Sequence, residues 1–286
     1  MITKMGNKIG EGGCSEIFEW ENANQIIKLA RDNTDYHAMK QEYDNSRMAW
    51  ENGLSVPQPI ALVDMEGRPG IVFERIYGET MMERFVKKAM ERGDEEEAST
   101  EHGEYNDIRL TAQVLSEIHN KPGLRMPSQR EAIKNSINSV DYLSKDEKAA
   151  VISLLEDLPV KNQLCHGDPN PRNMLLRNGK AVVIDWMNAS IGNPEADLAE
   201  YIIMFRYAIL PDYYPKEITS HLDSNREAII NAFVEEYTRL AGITSNEIDA
   251  WIAPIAARKL SADGISEEEK ILLIHEIRRR LQEQKD

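Results

Sequence analysis

The chain has 286 residues, 41% of them hydrophobic and 29% charged, a balance that excludes an intrinsically disordered chain and allows one large or two moderate cores. Its 49 acidic and 34 basic residues give a net charge of −15, which excludes the basic face that nucleic-acid binding needs; it suits a cationic small molecule drawn to an acidic cleft, and equally plain solubility. No run of eighteen apolar residues and no basic-then-apolar leader occurs, and Cys14 and Cys165 have neither disulfide nor metal spacing, so the expected setting is cytoplasmic with no membrane partner.

In chain order, residues 9–20 read as strand, glycine-rich loop, strand. Gly10, Gly12 and Gly13 let backbone approach an anionic oxygen without a Cβ in the way, and Ser15 adds a hydroxyl and an N–H. No Lys-Ser/Thr pair follows, so this is not a P-loop, and a simple glycine-rich turn is the alternative. Lys28 lies inside the apolar run Gln-Ile-Ile-Lys-Leu-Ala, where an ammonium must snorkel out or find a charge partner. A helix is expected over 34–50, capped by Thr34 or Asp35, with Tyr36, Met39, Tyr43, Met48 and Trp50 at near-helical spacing. Glu42 lies at the edge of that face. It is either the carboxylate for Lys28 or a solvated helix charge like Glu51.

The helix ends near Gly53, and Pro57 and Pro59 impose an extended connection. Strands over 60–65 and 70–74, joined by a Glu66-Gly67-Arg68-Pro69 turn, lead through Glu74-Arg75-Ile76-Tyr77-Gly78 into a crossing segment. Beyond Gly78 strands give way to helical patterns, so two domains are expected, 1–77 and 78–286. Residues 91–104 hold seven acidic residues against Arg92, a solvated surface insertion with a substrate-gathering lid as the alternative. Helices are expected over 108–119, 132–142, 146–158, 225–240, 246–260 and 266–282, the last opened by a Ser266/Glu269 capping box.

The central motif is Cys165-His166-Gly167-Asp168-Pro169-Asn170-Pro171-Arg172-Asn173, followed by two short apolar runs around Asn178-Gly179 and ending at Asp185-Trp186. Asn-Gly between apolar runs signals a hairpin, because both residues tolerate positive φ. Such a hairpin would gather Asp168, Asn173 and Asp185, and two carboxylates plus an amide oxygen are hard donors suited to Mg²⁺ with a polyphosphate. Turn chemistry alone would also select Asp and Asn here. The spacing D-x-x-x-x-N with a strand-ending Asp is nevertheless the kinase arrangement, in which the first Asp takes the acceptor's proton and the other two hold metal.

The glycine loop, Lys28, Glu42, His166-Gly167-Asp168 with Asn173, Ile184-Asp185-Trp186 and Gly192-Asn193-Pro194-Glu195-Ala196-Asp197 occur in this order. Together they resemble the aminoglycoside phosphotransferase family, the small-molecule branch of the protein-kinase-like fold. The resemblance implies an α+β bilobal fold, with a small antiparallel β-sheet lobe bearing one helix and a larger, mainly helical C-terminal lobe. It implies ATP and Mg²⁺ as cofactors, Asp168 as catalytic base, and Asn173 and Asp185 as metal ligands. Gly10, Gly12, Gly13, Ser15 and Lys28 would meet the nucleotide phosphates, with Glu42 holding Lys28. Glu74 and Ile76 would offer backbone groups to adenine, and Asp197 would brace the catalytic loop, with His166 structural. The implied acceptor is a hydroxyl of a small amine-bearing molecule, an aminoglycoside, amino sugar or amino alcohol, on a monomer or weak homodimer. A nucleotide-binding regulatory protein and a protein kinase are the alternatives. Asn170, where serine/threonine protein kinases carry Lys, and Trp186-Met187 in place of Phe-Gly both point away from protein substrates, and Gly167 departs from choline kinases. Only eleven residues separate Asp185 from Asp197, too few for a phosphorylation-ordered loop.

Overall fold

Period-two alternation builds the N-terminal sheet of this computed structural model, which describes residues 5–91, 105–122, 125–262 and 264–283; the acidic stretch 92–104 lies outside them. Strands β1 (Met5–Glu11), β2 (Ser15–Trp20), β3 (Asn22–Ala30), β4 (Pro59–Met65) and β5 (Arg68–Glu74) form one antiparallel sheet in the order β1-β2-β3-β5-β4. On β3, Ile27 and Leu29 join Trp20 and Val72 in one core. The alternate positions, Ile26 and Ala30, join Ile71, Phe73 and Met39 in another. Met39 belongs to helix α1 (Tyr36–Glu51), so Lys28, in phase with Ile26 and Ala30, falls on the face that α1 covers.

Asp35 caps α1, its carboxylate accepting the Ala38 N–H at 2.9 Å. The buried stripe of α1 is Met39, Glu42, Asn45, Ser46 and Ala49, not the aromatic recurrence expected from sequence: Tyr36 and Trp50 are 51% and 43% exposed. The reason is local chemistry. This face of the sheet presents an ammonium, and a neighbouring turn presents the Trp186 carbonyl, to which the Asn45 amide donates at 2.9 Å. Polar partners therefore occupy positions that apolar packing would otherwise take.

Five short strands follow: β6 (Glu79–Thr80), β7 (Gln163–Cys165), β8 (Met174–Arg177), β9 (Lys180–Val183) and β10 (Ser190–Gly192). The β8–β9 hairpin turns at Asn178 and Gly179, with φ of 52° and 78°, as a two-residue primed turn requires. Its outer partner is β6, entered through Gly78, where a Cβ would lie 2.4 Å from the Leu176 carbonyl oxygen. Only glycine allows that backbone approach.

These pairings make the division of the chain discontinuous. One compact unit comprises Met1–Met81 and Arg172–Ala189; the other comprises Met82–Pro171 and Ser190–Asp286. The linear boundary expected at Gly78 marks the change from strands to helices, whereas the hairpin, far along the chain, packs with the first unit through β6.

The second unit holds the β7–β10 pair and helices α2 (Met81–Glu91), α3 (Asn106–His119), α4 (Gln129–Ser139), α5 (Lys145–Asp157), α6 (Pro194–Tyr207), α7 (Lys216–Ala241), α8 (Ser245–Asp249), α9 (Ile252–Lys259) and α10 (Glu267–Glu283). The centre is α6, opened by Pro194 at its first turn and buried along nearly its whole length, with Tyr201 stacked on Phe233. The single helix expected over 246–260 is two, α8 and α9, because the chain bends at Ala250-Trp251 to bury the Trp251 indole. No helix among the described residues is long and apolar enough to cross a membrane.

Candidate active site

In the first unit, the phase of β3 and the stripe of α1 bring two sequence-predicted residues together. Lys28 Nζ lies 2.6 Å from Glu42 Oε1 and 3.1 Å from Asp185 Oδ1. Lys28 and Glu42 are buried, but the Asp185 side chain is 41% exposed. One ammonium thus faces two carboxylates. Burial works against the Lys28 charge, yet Glu42 and Asp185 more than offset it and raise its pKa above the ordinary lysine value. Burial pushes the Glu42 carboxyl up to about 7, with Lys28 opposing and Asp185 adding to the rise. The two directions share one cause, a single buried ammonium set between carboxylates in a site from which water is largely excluded.

The raised Glu42 pKa has a consequence for stability. The folded chain holds this proton more tightly than the unfolded chain, whose ordinary value is 4.5, so the group's contribution falls as pH rises from about 4.5 to about 7. Thermal melts across that window should show a steeper loss of stability in wild type than in Glu42→Gln. Parallel profiles would place the Glu42 titration elsewhere.

Asp185 itself adopts φ 63° and ψ 67°, a left-handed conformation rare outside glycine and tolerated by Asp at a cost of about 1–2 kcal/mol. That backbone, directly after the hairpin, carries the carboxylate to Lys28, and its other oxygen has no partner among the described residues. Asn173 is tied to the same point through its carbonyl, which accepts the Ile184 N–H at 2.9 Å.

The glycine-rich segment is more strand than expected. Gly10 lies within β1 opposite Ile17, and Ser15 opens β2 opposite Ala30 with only 4% exposure. The connecting loop is closed by the Gly12 N–H donating to the Ser15 carbonyl at 2.8 Å. A Cβ on Gly12 or Gly13 would meet nothing within 4 Å, and neither has positive φ. The fold itself therefore does not demand glycine there, which leaves room for an outside group to approach. At the end of β5, the Glu74 N–H donates to the Gln58 carbonyl at 2.9 Å and its carboxylate pairs with Arg177 at 3.0 Å. Ile76, two residues on, has a backbone without a hydrogen bond among the described residues.

In the second unit, β7 delivers His166-Gly167-Asp168, with Asp168 partly exposed. Asp197, on the buried α6, accepts the His166 N–H at 2.7 Å and the Gly167 N–H at 3.0 Å. His119 Nε2 lies 3.2 Å from the same carboxylate, and the Tyr237 hydroxyl is 2.7 Å from His119 Nδ1. Burial opposes ionisation of Asp197, but the hydrogen bond and charge of His119, with help from His166, hold its pKa below the ordinary value. His166 is fully buried, and its Nδ1 accepts the Asp168 N–H at 3.3 Å, so it is a structural histidine of the loop.

His119 was not legible as a site residue: it closes a helix, and its partners lie 78 and 118 residues away. His119, Cys165 and Asp197 place ligand-type atoms within 4.8 Å of one another. Asp197 spends its oxygens on two backbone N–H groups and His119, and burial pushes the Cys165 thiol well up, away from the thiolate a metal needs. The group is a hydrogen-bonded brace beneath the loop.

A family model described as the phosphotransferase enzyme family matches residues 17–229. No curated protein matches the chain. Among solved structures, the apo form of a thermostable mutant of aminoglycoside phosphotransferase APH(4)-Ia is 16% identical, covers 98% of this chain and 95% of its own, and has a TM-score of 0.63. A ternary complex of a further thermostable mutant with ADP and hygromycin B is 14% identical, with 98% and 93% coverage and the same TM-score of 0.63. The aminoglycoside-3′-phosphotransferase of type VIII is 17% identical, with 91% and 94% coverage and a TM-score of 0.56. These likenesses give the kinase-like α+β fold.

Proposed function

Because the chain belongs to the phosphotransferase enzyme family, and so carries out kinase-like phosphotransfer to small molecules, we propose that it moves the γ-phosphate of ATP to a hydroxyl of an amine-bearing acceptor. The observation that carries this reading is the Lys28–Glu42–Asp185 cluster, in which a buried ammonium and a strained, half-exposed carboxylate are held ready for an outside ligand. The neighbour seen with ADP and hygromycin B supports the same pairing of a nucleotide with an aminoglycoside.

The donor set fits Mg²⁺-nucleotide. Among the described residues, the second Asp185 oxygen and the Ile76 backbone have no hydrogen-bond partner, and the glycine loop has free space. Asn173 and Asp185 would hold the metal, whose charge, when bound, neutralises the phosphates. Lys28 would grip phosphate oxygens, Gly13 and Ser15 would offer polar groups while Gly10 and Gly12 let the backbone come close, and Glu74 and Ile76 would meet the adenine edge. Asp168 would orient the acceptor hydroxyl and take its proton, and Asp197 would keep the loop in place. On this reading 1–77 serves the nucleotide and 78–286 serves catalysis and the acceptor.

A coupled ADP-release screen with Mg²⁺-ATP over aminoglycosides, amino sugars and amino alcohols tests the proposal. Acceptor-dependent ADP release supports it, and release that no acceptor stimulates, despite tight nucleotide binding, would favour a regulatory nucleotide binder.

The Lys28–Glu42 pair gives a sharper check. Lys28→Ala and Glu42→Ala should each raise KM for ATP or lower kcat. The double variant should be little worse than Lys28→Ala, with a coupling of roughly 1–3 kcal/mol, because the second change removes a partner already idle. Additive effects in the cycle would uncouple the pair.

A further inference from the structure

The peptide joining Gly167 to Asp168 sets the direction in which the Asp168 side chain leaves the backbone. Gly167 has φ 77°, a conformation that glycine adopts freely and that therefore needs holding. Asp197 fixes the two N–H groups before this peptide, and His166 Nδ1 takes its N–H at 3.3 Å. The remaining polar atom is the Gly167 carbonyl. It accepts a hydrogen bond at 2.7 Å from Arg258 Nη2, at the end of α9, 91 residues away in sequence.

Arg258 is itself held. Its Nη1 lies 3.5 Å from Glu200 Oε2 on α6, and Lys259 Nζ occupies the other Glu200 oxygen at 3.1 Å. Glu200 Oε2 is buried without a hydrogen bond, so the guanidinium charge is its compensation. Helix α9 is buried at every position from Ile252 to Ala257, and the small Ala253, Ala256 and Ala257 let it sit close to its neighbours, so the arginine has a firm base. Cations at a helix C-terminus are also favoured by the helix dipole.

We propose that Arg258, oriented by Glu200, is a positioning residue that locks the Gly167–Asp168 peptide and so aims the Asp168 carboxylate. Its catalytic meaning rests on the phosphotransfer reading above; the locking of the peptide does not. A guanidinium fits the task because its fork reaches a carbonyl and a carboxylate at once, which a lysine ammonium on a shorter reach does not. Losing the donor leaves the carbonyl unpaired and frees the glycine to rotate.

Two measurements on Arg258→Ala, with Arg258→Lys and Glu200→Gln beside it, test the proposal. In amide hydrogen exchange on the full chain, the peptide spanning 166–173 should exchange several-fold faster in Arg258→Ala and Glu200→Gln, and by less in Arg258→Lys. In kinetics, Arg258→Ala should lower kcat by roughly 10- to 100-fold, the usual worth of a charge-assisted hydrogen bond, with Mg²⁺-nucleotide affinity by calorimetry unchanged. Added guanidine at millimolar level should restore part of kcat in Arg258→Ala alone. Unchanged exchange in all three variants would overturn the locking, whatever the acceptor proves to be. Faster exchange with unaltered kcat would overturn the link to Asp168, and so would a fall in kcat accompanied by an equal loss of nucleotide affinity or of thermal stability. Should the acceptor screen fail, which counts against the phosphotransfer reading, the exchange experiment still decides the locking.

Discussion

Asp168→Asn is expected to lower kcat by about 10²–10⁴, the usual worth of a positioned general base, while leaving Mg²⁺-ATP affinity at the wild-type level. The substitution is close to isosteric and preserves the backbone N–H that His166 accepts, so the loop should keep its conformation. What it removes is the capacity to take a proton from the acceptor hydroxyl. The residues proposed to face the nucleotide, Lys28, Glu42 and Asp185, keep their own side chains in this variant. Stopped assays with saturating ATP give kcat, and calorimetry with a non-hydrolysable analogue gives the affinity. A variant retaining most of its turnover would take Asp168 out of the mechanism.

Asp185 should behave in the opposite sense, because its proposed part is to hold charge. Asp185→Asn should weaken Mg²⁺-ATP binding by roughly 10- to 100-fold, as expected for a lost charge-assisted contact, and should flatten the dependence of affinity on Mg²⁺. Asparagine is the better probe than alanine. At φ 63° an alanine has no side-chain polar group to ease the left-handed backbone, whereas Asn tolerates this conformation almost as Asp does. Loss of the Asp185 carboxylate also leaves Lys28 with Glu42 alone, so the pair should tighten. Titrations in which the Mg²⁺ dependence of ATP affinity is unchanged would remove Asp185 from the metal.

The parts of this chain that could be read from sequence are those whose cause is local. The β8–β9 hairpin follows from Asn178-Gly179, whose two positive φ values the turn demands. Lys28 declared itself by being a charge in an apolar strand, and Glu42 by lying one helical step from Met39. Helix α1 shows where local reasoning stops. Its aromatic recurrence pointed to one stripe, but the ammonium and carbonyls it meets selected another, and those partners lie in distant segments. Arg258 is the extreme case. Nothing in Ala257-Arg258-Lys259 distinguishes it from an ordinary helix terminus until the fold places it on the Gly167 carbonyl. The break between α8 and α9 was hidden for a related reason, since helix propensity runs through Ala250-Trp251 and only burial of the indole bends the chain.

The discontinuity of the first unit bears on how the chain is made. A ribosome releases β1 to β6 well before the hairpin, because roughly ninety residues intervene between Met81 and Arg172. At synthesis rates of about 5–20 residues per second, the emerging sheet waits for roughly 5–20 s with β6 lacking its partner β8 and Lys28 lacking Asp185. During that interval the nascent segment exposes a short unpaired edge, a feature that invites wrong pairing, and its Lys28 has Glu42 as its carboxylate. Completion of the unit is therefore delayed relative to its own N-terminal strands, and the hairpin that bears Asp185 is the piece that closes it.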